Sequence, residues 1–228
     1  MALVADGVSC WYPVGAPRPA GGVVLDRVRL AVAPGAVVGL TGPSGAGKSS
    51  LGRILVGLQP AQEGTVLVDR ASVPTRRGRM TGVVGLLHQS PRAATSPRLT
   101  LGAIVAEPLP RRERGTRGGR TRVADAALRV GLTPDLLGRL PAQVSDGQLQ
   151  RACLARALLA APRYLVADEP TAMLDAATTA AVAQVLRELA AAGTGVLLVS
   201  HDHPLVDALA DERVLLRGDV AVRRRPGG

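Results

Sequence analysis

The chain has 228 residues, 46% of them hydrophobic, which is enough for one sizeable α/β domain with a buried core. Phe is absent and aromatic residues make up 1%, so that core is built from Val, Leu and Ala, and base-stacking nucleic-acid binding is disfavoured. The net charge of +10 is partly local, with six arginines inside Arg111–Arg122, and it suits an anionic lipid surface better than a nucleic acid.

Cys10 and Cys153 are far apart and in no metal-ligand spacing, so they read as free thiols in a reducing compartment. The sequence opens without a basic-then-apolar leader and contains no apolar run of about 18 residues. The expectation is a cytosolic chain that reaches a membrane only through a partner.

Residues 2–33 alternate apolar and polar at Leu3, Val8, Val23, Leu25, Val28, Leu30 and Val32, which predicts half-buried antiparallel strands. Between them, Trp11-Tyr12-Pro13 and the Pro/Gly-rich stretch Val14–Gly22 form a loop. The Trp-Tyr pair has two readings, a packing cluster or a ring stacked on a base.

The apolar run Val37–Leu40 leads into Gly42-Pro43-Ser44-Gly45-Ala46-Gly47-Lys48-Ser49-Ser50. The spacing Gly42-x-x-x-x-Gly47-Lys48-Ser49 is the phosphate-binding loop pattern. Its glycines let the backbone turn so that N–H groups face inward as an anion nest. Lys48 supplies a point charge for the outer phosphates, and the Ser49 hydroxyl a ligand for Mg²⁺. A helix starting near Gly47, with helical spacing over Ser50–Leu58, aims its positive end at the same anion. A Gly-rich turn with a chance Lys-Ser would not come with a strand before and a helix after. The site therefore binds a nucleoside triphosphate.

Gly64–Val68 and Val83–Leu87 read as strands, the second ending in His88-Gln89. The Gln89 amide stands where it can reach a metal or a water. Leu101–Leu109 has a short helical pattern ended by Pro108 and Pro110. Arg111–Arg122 reads as a solvated, mobile loop and Val123–Val130 as a helix stopped by Gly131. Ser145-Asp146-Gly147-Gln148 leads into a helix over Leu149–Leu159, with Ser145 and Gln148 in capping-box spacing. That start is either a plain cap or a second helix N-terminus offered to an anion.

Tyr164–Ala167 is an apolar strand ending in Asp168-Glu169, where α/β folds place their ligands. The first acid suits the Mg²⁺ shell and the next can activate water. Pro170–Asp175 turns into a helix over Ala176–Ala191. Gly195–Ser200 is a buried strand ending in His201-Asp202-His203, and His201 can hydrogen-bond a terminal phosphate or water. Val214–Leu216 and Val220–Val222 close the chain as a hairpin, before the basic run Arg223–Arg225.

This order of motifs resembles an ATP-binding cassette ATPase over nearly the whole chain. Gly42–Ser49 matches Walker A, Gln89 the Q-loop, and Val144–Gln148 the family signature. Asp168-Glu169 matches Walker B with its catalytic acid, Leu174-Asp175 the D-loop, and His201 the switch histidine. Tyr12 aligns better than Trp11 with the adenine-stacking aromatic. The segments Gln89–Pro91, Ser96–Gly102 and Ile104–Leu109 are similar to the peptide and nickel import branch. That branch often extends beyond its core at the C-terminus, and here the sequence ends soon after Val222. Asp146 replaces a signature Gly, and its carboxylate repels a γ-phosphate unless it is paired or turned away.

The resemblance implies a parallel phosphate-loop core, an N-terminal antiparallel β subdomain, and an inserted helical subdomain at about residues 90–160 of a single 1–228 cassette. It implies ATP as substrate and Mg²⁺ held by Ser49, Gln89 and Asp168. It implies Glu169, His201 and Gln89 as catalytic residues and Tyr12 with Gly42–Ser50 as the ATP cradle. Two cassettes would stand head to tail, with Ser145, Asp146, Gly147 and Gln148 of one on the ATP of the other. The implied partners are a second ATPase subunit, membrane permease subunits and, indirectly, a solute-binding protein, at the cytoplasmic face of the membrane and without nucleic acid. The alternatives are a soluble, non-transport ATPase of the same family and a catalytically weak partner cassette.

Overall fold

A computed structural model describes residues 1–12, 22–73, 83–172, 174–217 and, as backbone, 220–224. The expected loop Val14–Gly22 lies outside these residues except for Gly22, as do Met173, Gly218, Asp219 and Arg225. The chain divides into two compact units. The first holds Met1–Leu86, Arg163–Asp168 and Ala190–Gly228, and the second Leu87–Pro162 and Glu169–Leu189.

The first unit carries both sheets. β1 (Leu3–Trp11), β2 (Val23–Val32), β4 (Glu63–Val68) and β5 (Ala71–Val73) form an antiparallel sheet in the order β2-β1-β4-β5. The alternation in residues 2–33 has this origin: Leu3, Ala5, Val8, Leu25, Val28 and Leu30 all point into the core. The other sheet has the order β10-β9-β3-β8-β7-β6, with β3 (Val37–Thr41), β6 (Val84–Leu87), β7 (Tyr164–Asp168), β8 (Gly195–Val199), β9 (Glu212–Arg217) and β10 (Val220–Arg224). β3, β7 and β8 are buried along their whole length, the pattern of parallel strands covered on both faces. β3 runs parallel to both β8 and β9, β7 runs parallel to β8, and β9–β10 is the expected hairpin.

α1 (Lys48–Leu55) packs Leu51, Ile54 and Leu55 into the core shared by Leu40, Val166, Val199 and Val214. It ends three residues before the predicted Leu58, because Gly57 takes a left-handed φ of 74° that breaks the helical path. α6 (His203–Leu209), which the sequence reading did not predict, is capped by the Asp202 carboxylate on the Leu205 N–H at 3.0 Å. Its Val206 fits against Gly39, where a Cβ would stand 2.5 Å from the valine's methyl carbon. Tyr164 donates to Asp69 Oδ1 at 2.7 Å, and Arg163 closes a 2.9 Å ion pair on the same carboxylate.

The second unit is helical. α2 (Leu101–Val105) and α3 (Arg117–Arg129) both pack on α4 (Asp146–Ala160), burying Leu101, Ile104, Val123, Ala127, Leu149 and Cys153. α5 (Ala176–Ala191) follows the acidic turn. Arg111–Arg122 is not wholly a loop, since α3 begins inside it at Arg117. The Thr116 hydroxyl accepts from the Gly119 N–H at 3.0 Å, and this cap outweighs the poor helix propensity of Gly118-Gly119.

Candidate functional site

Three strands of the first unit end together. In register, Leu40 of β3 stands opposite Val199 of β8, which stands opposite Asp168 of β7. The loop Gly42–Gly47, the Asp168 carboxylate and Ser200-His201 therefore leave the same edge of the parallel sheet. Ligands of open α/β sheets bind at such an edge, outside the carboxyl ends of the strands.

The loop depends on its glycines. Gly42 and Gly47 hold φ of 153° and 90°. A Cβ on Gly42 would meet the Leu216 carbonyl oxygen at 2.4 Å, and one on Gly47 would meet Leu25 Cδ2 at 2.6 Å and the Val24 carbonyl oxygen at 2.9 Å. Gly45, at φ 80°, has nothing within 4 Å of that position. Gly47 is the N-cap of α1 and no side chain bonds the helix end, so the first N–H groups of α1 remain available to an anion. Lys48 Nζ donates to the Gly42 and Pro43 carbonyls, each at 2.9 Å, which keeps the ammonium over the loop. Pro43, Ser44 and Gly45 are partly or fully exposed, and Ala46 is buried.

Ser49 donates its hydroxyl to Asp168 Oδ1 at 3.1 Å, and Asp168 is buried. This pair offers only oxygen donors. A magnesium ion suits such a set, since it uses one or two protein oxygens and completes its shell with phosphate oxygens and water. His201 follows the buried Ser200 and is itself exposed.

Trp11 and Tyr12 separate cleanly. Trp11 is 5% exposed and packs as the last residue of β1, whereas Tyr12 is 51% exposed. The Tyr12 hydroxyl donates to Gln59 Oε1 at 3.2 Å and bonds Ser50 Oγ at 3.3 Å. Gln59 in turn reaches Cys10 Sγ at 2.9 Å. The ring is thereby tied through its hydroxyl to Ser50 of α1 and to Gln59, and half of the residue's surface stays exposed. Burial raises the Cys10 thiol pKa, and the Gln59 bond lowers it by a smaller amount.

In the second unit, Gln89 is exposed two residues after Leu87. Glu169 is half-buried and holds a left-handed φ of 47°, a conformation that costs a non-glycine residue about 1–2 kcal/mol. Ser145 and Gln148 form the capping box: the Gln148 N–H donates to Ser145 Oγ at 3.2 Å, and the Ser145 N–H to Gln148 Oε1 at 3.0 Å. Helix geometry leaves the Asp146 and Gly147 N–H groups without an intrahelical partner. Asp175 accepts from the Thr178 N–H and hydroxyl, each at 2.8 Å. Those two bonds hold its carboxyl below the usual range, the backbone N–H first.

Sequence reasoning missed several residues that shape these elements. Arg92 pairs with Asp146 at 2.6 Å, 54 positions away. Arg151 donates to Thr178 Oγ1 at 2.7 Å, joining α4 to the start of α5. Buried Gln150 donates to the Pro170 carbonyl at 3.1 Å, just beyond Glu169. No local pattern marks such pairs. The only available signal was the oddity of Asp146 itself.

Residues 25–172 match the family model described as ABC transporter. The chain is 38% identical over 201 residues to a Brucella ovis protein named as a peptide import ATP-binding protein, covering 85% of this chain and 63% of that one. It is 36% identical to the nickel import ATP-binding protein NikE of Rhodospirillum rubrum, covering 89% and 76%, and 36% identical to the oligopeptide transport ATP-binding protein OppF of Salmonella typhimurium, covering 84% and 59%. The chain thus spans less than two thirds of the Brucella and Salmonella relatives. The ATP-binding cassette MJ0796, solved as a dimer in a post-hydrolysis state with ADP and phosphate, superposes with a TM-score of 0.85 at 28% identity, covering all of both chains. No helix among the described residues is long and apolar enough to cross a membrane.

Proposed function

The chain belongs to the ABC transporter family, and from that premise we propose that it is the ATP-binding, ATP-hydrolysing subunit of an importer for peptides or nickel. The observation that carries this reading is the shared sheet edge: a glycine-built loop with Lys48, the Ser49–Asp168 oxygen pair, and His201, on three strands in register. The importer branch is supported by the relatives at 36–38% identity, which are named as peptide, nickel and oligopeptide transport ATP-binding proteins.

In this reading ATP lies on the loop Gly42–Ser50 with its base stacked on the exposed Tyr12 ring. Lys48 and the N-terminus of α1 face the phosphates. Ser49, Asp168 and Gln89 would hold Mg²⁺, which would supply charge neutralisation on the phosphate oxygens. Glu169 accepts the proton of the attacking water, and its strained backbone is the kind of outlier that marks such positions. His201 holds the terminal phosphate in line. Residues 90–160 act as the inserted helical subdomain of a single cassette. Ser145–Gln148 meet the ATP of a second cassette, and Asp175 lies at that same junction. The dimer works at the cytoplasmic face of the membrane, on permease subunits fed by a solute-binding protein, without nucleic acid.

The test is Glu169→Gln. Removing the base lowers ATP turnover by about 10²-fold or more while ATP affinity is kept, and an ATP-bound dimer accumulates on a sizing column. Unimpaired turnover in that variant overturns the assignment.

A further inference from the structure

Asp146 is the first residue of α4, between Ser145 and Gly147. A carboxylate there suits the helix dipole. It does not suit a triphosphate arriving at the same N–H groups, because like charges a few ångströms apart repel.

The Arg92 guanidinium answers that charge and does more. Its Nε donates to Asp146 Oδ1 at 2.6 Å, its Nη1 to the Pro141 carbonyl at 2.9 Å, and its Nη2 to the Val144 carbonyl at 3.2 Å. All three nitrogens are used on one short stretch, so the planar fork is fixed in orientation, which a lysine ammonium cannot reproduce. Arg92 is itself held in place. It sits in a turn where the Ala94 N–H and Thr95 hydroxyl donate to the Pro91 carbonyl at 3.1 and 2.9 Å. Arg156 of α4 donates to the Ala94 carbonyl at 3.2 Å and pairs with Glu107 at 2.6 Å. The turn that follows Gln89 is therefore fastened twice, to Pro141–Asp146 through Arg92 and to the body of α4 through Arg156.

We propose that Arg92 is a positioning residue for the nucleotide-facing end of α4: it neutralises Asp146 and fixes Pro141–Val144, so that Ser145 and Gly147 accept a triphosphate beside an acid. This rests on the reading of Ser145–Gln148 as a nucleotide contact. It assigns Arg92 and Asp146 as one unit, in which removing the guanidinium alone does more harm than removing both charges.

The experiment compares the full chain with Arg92→Ala, Asp146→Asn and the double variant, using MgATP hydrolysis and amide hydrogen exchange of the nucleotide-free protein. Arg92→Ala raises the KM for ATP about tenfold, more than it lowers kcat, and the defect shrinks as salt screens the exposed carboxylate. Asp146→Asn in that background recovers most of the KM defect, and the part that remains is the lost carbonyl clamp. Exchange at Val144–Gln148 quickens in Arg92→Ala and stays fast in the double variant, because the carbonyl clamp is lost in both. A KM unchanged by Arg92→Ala, or a double variant as impaired as the single, overturns the neutralising role. Unchanged exchange overturns the clamp. A wild-type chain that hydrolyses no ATP defeats the proposed function instead, and the exchange arm still decides the clamp.

Discussion

Two helix N-termini in this molecule are built in opposite ways. α1 starts from Gly47, whose left-handed backbone offers no side chain to the helix end. α4 starts from Ser145, locked by a reciprocal pair of bonds with Gln148. The first leaves its N–H donors open and depends on backbone shape, set by what a Cβ would strike. The second closes two of its polar groups with side chains and carries an acid that a distant arginine must answer. In the proposed function both ends face a triphosphate, one as its cradle and the other across a dimer junction. A cradle that must accept the same anion each time is best made of backbone. A surface that must meet and release a partner's nucleotide can be made of adjustable side chains.

The hardest test of this contrast is Gly47→Ala set against Gly45→Ala. Both positions hold positive φ, so each alanine costs about 1–2 kcal/mol in backbone strain. Only at Gly47 does the methyl group also strike Leu25 and the Val24 carbonyl. Gly47→Ala is expected to lose about 3 kcal/mol or more of stability by urea denaturation, against about 1–2 kcal/mol for Gly45→Ala. Equal losses would mean that packing against β2 does not shape the loop.

At α4 the matching change is Ser145→Ala. It removes the acceptor of the Gln148 N–H and costs about 1 kcal/mol, the usual worth of an N-cap. The same urea titration measures it. A loss near that of Gly47→Ala would erase the distinction between a backbone-built and a side-chain-built helix start.

The same contrast governs how much could be read from the sequence. The cradle was legible because its requirements are local: an apolar strand, glycines at fixed spacing, then Lys48 and Ser49. The places of Asp168 and His201 were legible for a related reason, since each follows a short apolar run that folds as a buried strand, β7 or β8. The box at Ser145 and Gln148 was legible from three-residue spacing. Hidden were features set by long-range packing. Arg92 meets Asp146 across 54 positions, and Tyr12 reaches Gln59 across 47. The start of α3 was misread because Arg111–Arg122 looks unstructured by charge and glycine content, while one hydroxyl on Thr116 decides where the helix begins. Composition named the loop, and a single cap overruled it.

The smallest expected effect concerns a third helix start. Asp175 holds α5 through the Thr178 N–H and hydroxyl, and those bonds keep its carboxyl below the usual range. A group whose folded pKa is depressed adds stability that is fully present above its unfolded pKa and is lost as pH falls through the folded value. The contribution should therefore be intact at pH 7 and fade below about pH 4. Asp175→Asn keeps an amide oxygen as acceptor but cannot titrate, so wild type should be slightly more stable than the variant at neutral pH, and the difference should vanish in acid. Urea midpoints of the two proteins at neutral and acid pH read this directly. Neither Gly47→Ala nor Ser145→Ala should behave so, because neither removes a titrating group. A gap between wild type and Asp175→Asn that stays constant with pH would show that shape, and not the carboxylate charge, holds the start of α5.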